Sequence, residues 1–132
     1  MMKLLAPWLT IVVVMMLLDV VWLGGVAKPF YQRGIGHLMT DQPNFVAAAL
    51  FYLLYAIGVM AFVVLPRTPG DWPMAAAWGA AFGFMGYMTY DLTNLATLRD
   101  WPIVLSLIDT AWGCVATGVA AAAGKLVADR VG

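Results

Sequence analysis

Residues 90–102, YDLTNLATLRDWP, end one long apolar segment and begin the next. The stretch follows a run of alanine, glycine, phenylalanine and methionine. Asp91 is its second residue, and the stretch contains threonine and asparagine before the turn. Only a few residues separate the two apolar segments, and so short a connection is typical of antiparallel neighbouring helices. The stretch therefore predicts a helical hairpin whose first helix ends in polar side chains.

The composition of the whole chain indicates a membrane protein. Of its 132 residues, 64% are hydrophobic and only 11% are charged, whereas about a quarter of the residues in a soluble domain are charged. We therefore expect membrane lipids as its surroundings. Seven basic residues balance seven acidic ones, all of them aspartate, so the charge gives no reason to expect binding to nucleic acid.

Two features of the chain exclude common alternatives. Cys114 is the only cysteine, so one chain can form neither a disulfide nor a cysteine metal site. Helical phase places it about 140° from Asp109, which predicts a packing or lipid-facing role. The N-terminal segment resembles a signal peptide, but Asp19 interrupts it and no clear cleavage site follows, so we interpret it as a retained helix.

A transmembrane helix needs about 20 mainly apolar residues. Four segments meet this requirement, and they predict a single all-α domain over residues 1–132, an integral membrane four-helix bundle with both termini on the same side. The predicted spans are residues 4–26, 44–65, 74–97 and 102–127. Asp-Trp-Pro occurs at Asp71 and again at Asp100, each time before a span, which predicts an aspartate cap, a tryptophan at the membrane interface and a proline in the first turn.

Four spans define two sides of the membrane. Side A carries the termini and the loop around Arg67, and side B carries the loop after the first span and the turn around Arg99. Side A has one more basic residue than side B, so the positive-inside rule predicts cytoplasmic termini. The basic residues are Lys3, Arg67, Lys125 and Arg130 on side A, and Lys28, Arg33 and Arg99 on side B.

Three aspartates lie within the predicted spans: Asp19, Asp91 and Asp109. A charged side chain near the centre of a membrane helix costs up to about 3 kcal/mol on insertion scales. Each aspartate lies six or seven residues from side B, so a rise of 1.5 Å per residue puts all three roughly 10 Å inside that boundary. The sequence therefore predicts one polar layer shared by three helices.

Other residues are predicted to join this layer. Helical phase groups Asp91 with Tyr87 and Asn94, and the hydroxyl groups of Tyr52 and Tyr55 are at a suitable depth to donate to a carboxylate. The Asp-x-x-Trp spacing occurs twice on antiparallel helices, so its two tryptophans are expected at different depths. The complete set of candidate ligand- or proton-binding residues is Asp19, Asp91, Asp109, Asn94, Tyr87, Tyr90, Trp22, Trp112, Ser106, Tyr31 and His37.

The chain resembles the domain-of-unknown-function family 2177, a family of small bacterial membrane proteins. The resemblance covers essentially the whole chain and rests on three motifs: LLDVVWLG with PFYQRGIG, YDLTNLATLRDWP, and LIDTAWG. It implies four helices and residence in the bacterial inner membrane. No established activity comes with the family.

Three functions remain open from the sequence. The polar layer could bind or transport a small ligand, an ion or a proton, and a chain this short would then be expected to form a homo-oligomer, with Gly79 and Gly83 as one possible interface. Alternatively, Asp91 and Asp109 could act as acid and base, or hold a cation with His37, in an enzyme acting on a lipid or another apolar substrate. A third alternative is a structural or assembly role. No metal site and no particular cofactor is predicted.

Overall fold

The computed structural model describes all 132 residues, and every regular element in it is helical. The prediction of an all-α chain is confirmed. The five α-helices are α1 (Met2–Val21), α2 (Lys28–Ile35), α3 (Phe45–Val59), α4 (Trp72–Thr97) and α5 (Ile103–Val131). Two of them continue as single π-helical turns, α1 through Trp22–Val26 and α3 through Met60–Val64.

Three helical segments are long and apolar enough to cross a membrane: Met2–Val26, Phe45–Val64 and Ile103–Val131. They correspond to the first, second and fourth predicted spans. Helix α4 covers the third predicted span and has 26 residues, enough for about 39 Å at 1.5 Å per residue. Helix α4 is less apolar than these three segments, because it contains glycine, tyrosine, threonine, asparagine and aspartate where the others have large aliphatic side chains.

Helices α4 and α5 pack closely because glycines line their contact. A Cβ atom on Gly83 would lie 2.1 Å from the carbonyl oxygen of Gly113, and one on Gly79 would lie 2.6 Å from the Cβ of Ala121. Small residues allow this approach between membrane helices. Since Gly79 and Gly83 are both buried against α5, the glycine surface that the sequence offered for dimerisation is occupied within the chain.

The apolar core lies in the half of the bundle away from the aspartates. It contains residues of α1, α3, the Met60–Val64 turn, α4 and α5. The contact between α1 and α5 is close, since a Cβ on Gly124 would lie 2.7 Å from the Ile11 side chain. The core residues are Ile11, Val12, Met15, Ala56, Val59, Met60, Val63, Val64, Ala75, Ala116, Ala120 and Ala121.

Helix α3 approaches α4 only in its second half. The aromatic rings of Tyr55 and Phe82 lie 5.3 Å apart between centroids, and the Met60–Val64 turn contacts α4 directly. Before Tyr55, every residue of α3 except Tyr52 is exposed. The first half of α3 therefore leaves a gap beside α4.

The two Asp-Trp-Pro motifs stand at the starts of α4 and α5, but their aspartates do not cap the helices with a side-chain hydrogen bond. The Asp71 and Asp100 side chains make no capping hydrogen bond, and Asp100 adopts a left-handed backbone conformation with φ of 60°, which aspartate tolerates better than most residues. Trp101 is buried, and its indole donates to Ser106 at 3.0 Å. Trp101 therefore packs against the protein through its N–H group, and its position at the membrane interface stays a prediction.

A buried lysine connects the loop between α3 and α4 to the last turns of α5. Lys125 Nζ donates to the carbonyl oxygen of Arg67 at 3.0 Å and lies 2.9 Å from Asp129 Oδ1. The second oxygen of Asp129 accepts the amide of Gly70 at 2.8 Å. Lys3 and Gly132 line one depression with Lys125 and Asp129, so the loop and both chain ends meet at the same end of the bundle.

Candidate functional site

The two Asp-x-x-Trp motifs meet through their tryptophans. The rings of Trp22 and Trp112 stack with 4.4 Å between centroids and 3° between planes. The rings therefore meet, although the sequence places Trp22 nearer side B and Trp112 nearer the midplane. The hydrogen bond from Trp112 places Asp19 near the level of Trp112, about one turn from Asp109, so the two motifs overlap instead of lying end to end.

Asp19 is held by donors from two other helices. Tyr52 of α3 donates its hydroxyl to Asp19 Oδ2 at 2.5 Å, and Trp112 of α5 donates its indole N–H to Oδ1 at 2.9 Å. The residue is only 8% exposed. Since each carboxylate oxygen accepts one hydrogen bond, Asp19 connects α1 to both α3 and α5 at a fixed orientation.

Asp109 accepts a hydrogen bond from the short helix α2. Tyr31 of α2 donates to Asp109 Oδ1 at 2.6 Å, and the same hydroxyl accepts the indole N–H of Trp22 at 3.3 Å. Burial and the hydrogen bond to Asp109 raise the pKa of Tyr31 well above its usual value. Tyr31 therefore remains a protonated donor throughout the physiological pH range.

Asp91 is the most deeply buried of the three aspartates, with 1% of its surface exposed. Thr110 donates to Asp91 Oδ2 at 3.1 Å, whereas Oδ1 is buried without a hydrogen-bond partner. Thr110 follows Asp109 directly on α5, so the side chain of Asp91 lies against the part of α5 that carries Asp109. One oxygen of Asp91 is therefore satisfied by α5, and the other is enclosed without a hydrogen bond.

No basic side chain pairs with Asp19, Asp91 or Asp109. The two ion pairs of the protein are His37 with Asp100 and Lys125 with Asp129. No group of three or more histidine, cysteine, aspartate or glutamate side chains is arranged as a metal site would require. The embedded aspartates are therefore surrounded by hydrogen-bond donors and by no basic side chain.

A cleft of about 500 Å³ lies beside two of these aspartates. Its walls combine carboxylate, tyrosine and apolar side chains from α1, its π turn, α3, α4 and α5. We call it the aspartate–tyrosine cleft, and its lining residues are Asp19, Leu23, Phe51, Tyr52, Tyr55, Gly86, Tyr87, Tyr90 and Asp109. Its volume is typical of small-molecule sites, and it lies where the first half of α3 is separated from α4.

The remaining candidates from the sequence lie in three different places. Tyr87 and Tyr90 line the cleft, and Asn94 follows Tyr90 one turn later on α4. Ser106 is buried behind the aspartates, where it accepts from Trp101 and lies 3.2 Å from the carbonyl oxygen of Pro102. His37 is exposed and lies 3.8 Å from Asp100, away from the embedded carboxylates.

Several cleft residues were not among the sequence candidates. Leu23, Phe51 and Gly86 line the opening, and Thr110 supplies the donor to Asp91. Apolar residues in an apolar helix carry no sequence signal for a cleft. Thr110 follows Asp109 directly, and only the contact between α4 and α5 shows that it serves a carboxylate of the other helix.

Comparisons with known proteins agree with the resemblance described above. No curated protein and no solved structure matches the chain. A family model described as "Predicted membrane protein (DUF2177)" matches residues 4–126, which is most of the chain. The chain therefore belongs to this family of predicted membrane proteins.

Proposed function

We propose that this protein crosses the membrane four times and binds a small amphipathic ligand in the aspartate–tyrosine cleft. In this arrangement α4 is the third membrane helix, shielded along its polar and glycine-rich face by α5. The contact of the chain ends with the loop around Arg67 supports placing both termini on one side. The family and the positive-inside rule support the bacterial inner membrane with cytoplasmic termini.

The observation that carries the proposal is an open cleft that ends at two carboxyl groups without a basic partner. Carboxyl groups that served only to join helices would be expected to lie in closed contacts, as Asp91 does. Asp19 and Asp109 instead line a space large enough for a small molecule. A structural role accounts for the hydrogen bonds of these residues but leaves the open space beside them unexplained.

The shape of the opening supports an amphipathic ligand. Leu23 and Phe51 lie at the cleft together with the tyrosines, and the adjoining half of α3 is exposed along its length. In a membrane this exposed surface would face lipid tails, so an apolar chain could extend outward while a polar group reached the carboxyl groups.

Gly86 offers a direct test of occupancy. A Cβ at this position meets only Tyr55, at 3.4 Å, so a cysteine fits at the wall of the cleft. We would introduce Gly86→Cys into a Cys114→Ala background in lipid nanodiscs. The rate of N-ethylmaleimide labelling would then be measured with and without decylammonium, decanol or decanoate.

Binding in the cleft predicts that at least one of these three compounds slows labelling of Gly86→Cys several-fold. Gly24→Cys is the matched control, because Gly24 is exposed, has open space around it and does not line the cleft. Labelling of the control should be unchanged. Equal effects on both cysteines, or no effect of any compound on Gly86→Cys, would contradict the proposal.

A further inference from the structure

We infer that the polar group of the ligand is an organic cation of the alkylammonium class, held between Asp109 and the tyrosine rings of the cleft. This inference rests on the proposed function, because it names the ligand class of the same cleft.

The charges around the cleft favour a cation. Asp19 and Asp109 line it, and no lysine, arginine or histidine does. Asp19 already accepts one hydrogen bond on each oxygen, whereas Asp109 accepts one from Tyr31 and keeps further acceptor capacity. An anionic group would meet two carboxyl groups and no positive charge, while an ammonium group would find an acceptor.

The aromatic walls favour an organic cation over an inorganic one. Phe51, Tyr52, Tyr55, Tyr87 and Tyr90 surround the cleft. The planes of these rings are inclined to one another: the interplanar angle is 76° between Tyr55 and Tyr87 and 61° between Phe51 and Tyr52. Rings in several orientations can present their negative faces to one ammonium group, as in aromatic sites for quaternary ammonium.

The depth of the site favours an ammonium group that carries an apolar chain. Asp109 lies about seven residues into the segment that begins at Pro102, roughly 10 Å from its end, and the cleft beside it passes Leu23 and Phe51. A freely hydrated ion would have to lose its water to reach this depth. An alkylammonium can place its chain among lipid tails and retain contact with the carboxyl group.

The test extends the Gly86→Cys labelling assay to a comparison of head groups. Decylammonium and decyltrimethylammonium should protect the cysteine at concentrations about tenfold below those required for decanol, which has the same chain without the charge. Decanoate should protect least. Asp109→Asn retains an oxygen that can accept from Tyr31, and it should abolish the advantage of ammonium over alcohol.

Asp71→Asn is the matched control for loss of a carboxylate, because Asp71 precedes α4 and makes no capping hydrogen bond. It should leave the preference for ammonium intact. Nanodiscs of phosphatidylethanolamine, compared with those of phosphatidylglycerol, distinguish a lipid head group from a free amine. Protection by phosphatidylethanolamine alone supports a lipid source, and protection only after addition of an alkylammonium supports a free amine.

Other outcomes would overturn the inference. If decanol or decanoate protects as well as decylammonium, the cleft binds ligands without selecting a cation, and the proposed function survives alone. If Mg²⁺ alone protects Gly86→Cys and removes the effect of decylammonium, an inorganic ion occupies the site. If no compound protects, both the inference and the proposed function are wrong. The wild-type residues at 19 and 109 are retained in this comparison, so it does not depend on the folding of Asp109→Asn.

Discussion

Trp22 and Trp112 stack face to face with 4.4 Å between their ring centroids, and each of them serves the aspartate of the other's motif. Trp112 donates directly to Asp19, and Trp22 donates to the Tyr31 hydroxyl that binds Asp109. The two Asp-x-x-Trp motifs thus form one reciprocal unit between α1 and α5.

The tryptophan pair provides the first prediction. Trp112→Phe keeps an aromatic ring but removes a donor from Asp19, and should destabilise the protein by about 1 kcal/mol, a typical value for hydrogen bonds between membrane helices. Trp22→Phe removes a longer bond to a neutral acceptor and should have the smaller effect. Thermal unfolding in detergent micelles, followed by near-ultraviolet circular dichroism, measures both. A larger effect of Trp22→Phe would contradict this ranking.

Tyr31 should stabilise the protein equally over a wide pH range. Its pKa is raised by burial and by the hydrogen bond to Asp109, so the folded state favours the protonated phenol. The resulting stabilisation is fully present below the unfolded value of about 10 and is lost as the pH rises further toward the folded pKa.

The difference in unfolding free energy between the wild type and Tyr31→Phe should therefore be constant from about pH 7 to about pH 10 and decrease above that range. Chemical unfolding at a series of pH values measures this difference. Gln32→Asn, at the neighbouring exposed position of α2, controls for general effects on that helix. A difference that disappears near neutral pH would show that Tyr31 ionises there.

Asp91→Asn should stabilise the protein, in contrast to most substitutions of a buried polar residue. Asp91 Oδ1 is buried without a partner beside Asp109. An asparagine can place its amide group at that position and donate to Asp109, while its oxygen accepts from Thr110. The expected gain is about 1 kcal/mol in thermal unfolding.

Asp91→Leu is the comparison for this prediction, because it removes the buried carboxyl group together with its hydrogen bond from Thr110. It should be less stable than Asp91→Asn, since Thr110 and Asp109 each lose a partner. Loss of stability in Asp91→Asn would mean that the carboxyl group itself is the better partner for the surrounding side chains and would contradict this prediction.

Alanine substitutions of two glycines of α4 should have different effects on stability, because only one of the glycines lies in the close contact with α5. A Cβ on Gly83 would lie 2.1 Å from the Gly113 carbonyl oxygen, whereas one on Gly86 meets only the Tyr55 ring at 3.4 Å. Gly83→Ala should therefore force the helices apart and destabilise the protein by about 1–3 kcal/mol. Gly86→Ala should change the stability by less than about 0.5 kcal/mol. Equal thermal stabilities of the two variants would contradict the close packing.

The sequence by itself determined the membrane class of the chain, its helical character and the approximate positions of its four long helices, but not the short helix α2. Twenty or more apolar residues between clusters of proline, glycine and charge can form little else in a bilayer, because backbone polar groups must bond within the segment. It also identified the three embedded aspartates, since acidic residues stand out in an apolar helix. The short turn around Arg99 was enough to make α4 and α5 neighbours.

Only the tertiary structure decided how these residues are partnered. Helical phase shows which face a residue occupies but not how far one helix is shifted along another, so the stack of Trp22 on Trp112 and the donation from Trp112 to Asp19 could not be predicted. Tyr31 reaches Asp109 because α2 packs beside α5, and a loop sequence does not specify such a contact. The cleft itself depends on the divergence of α3 from α4, a property of the space between helices that no residue of either helix encodes alone.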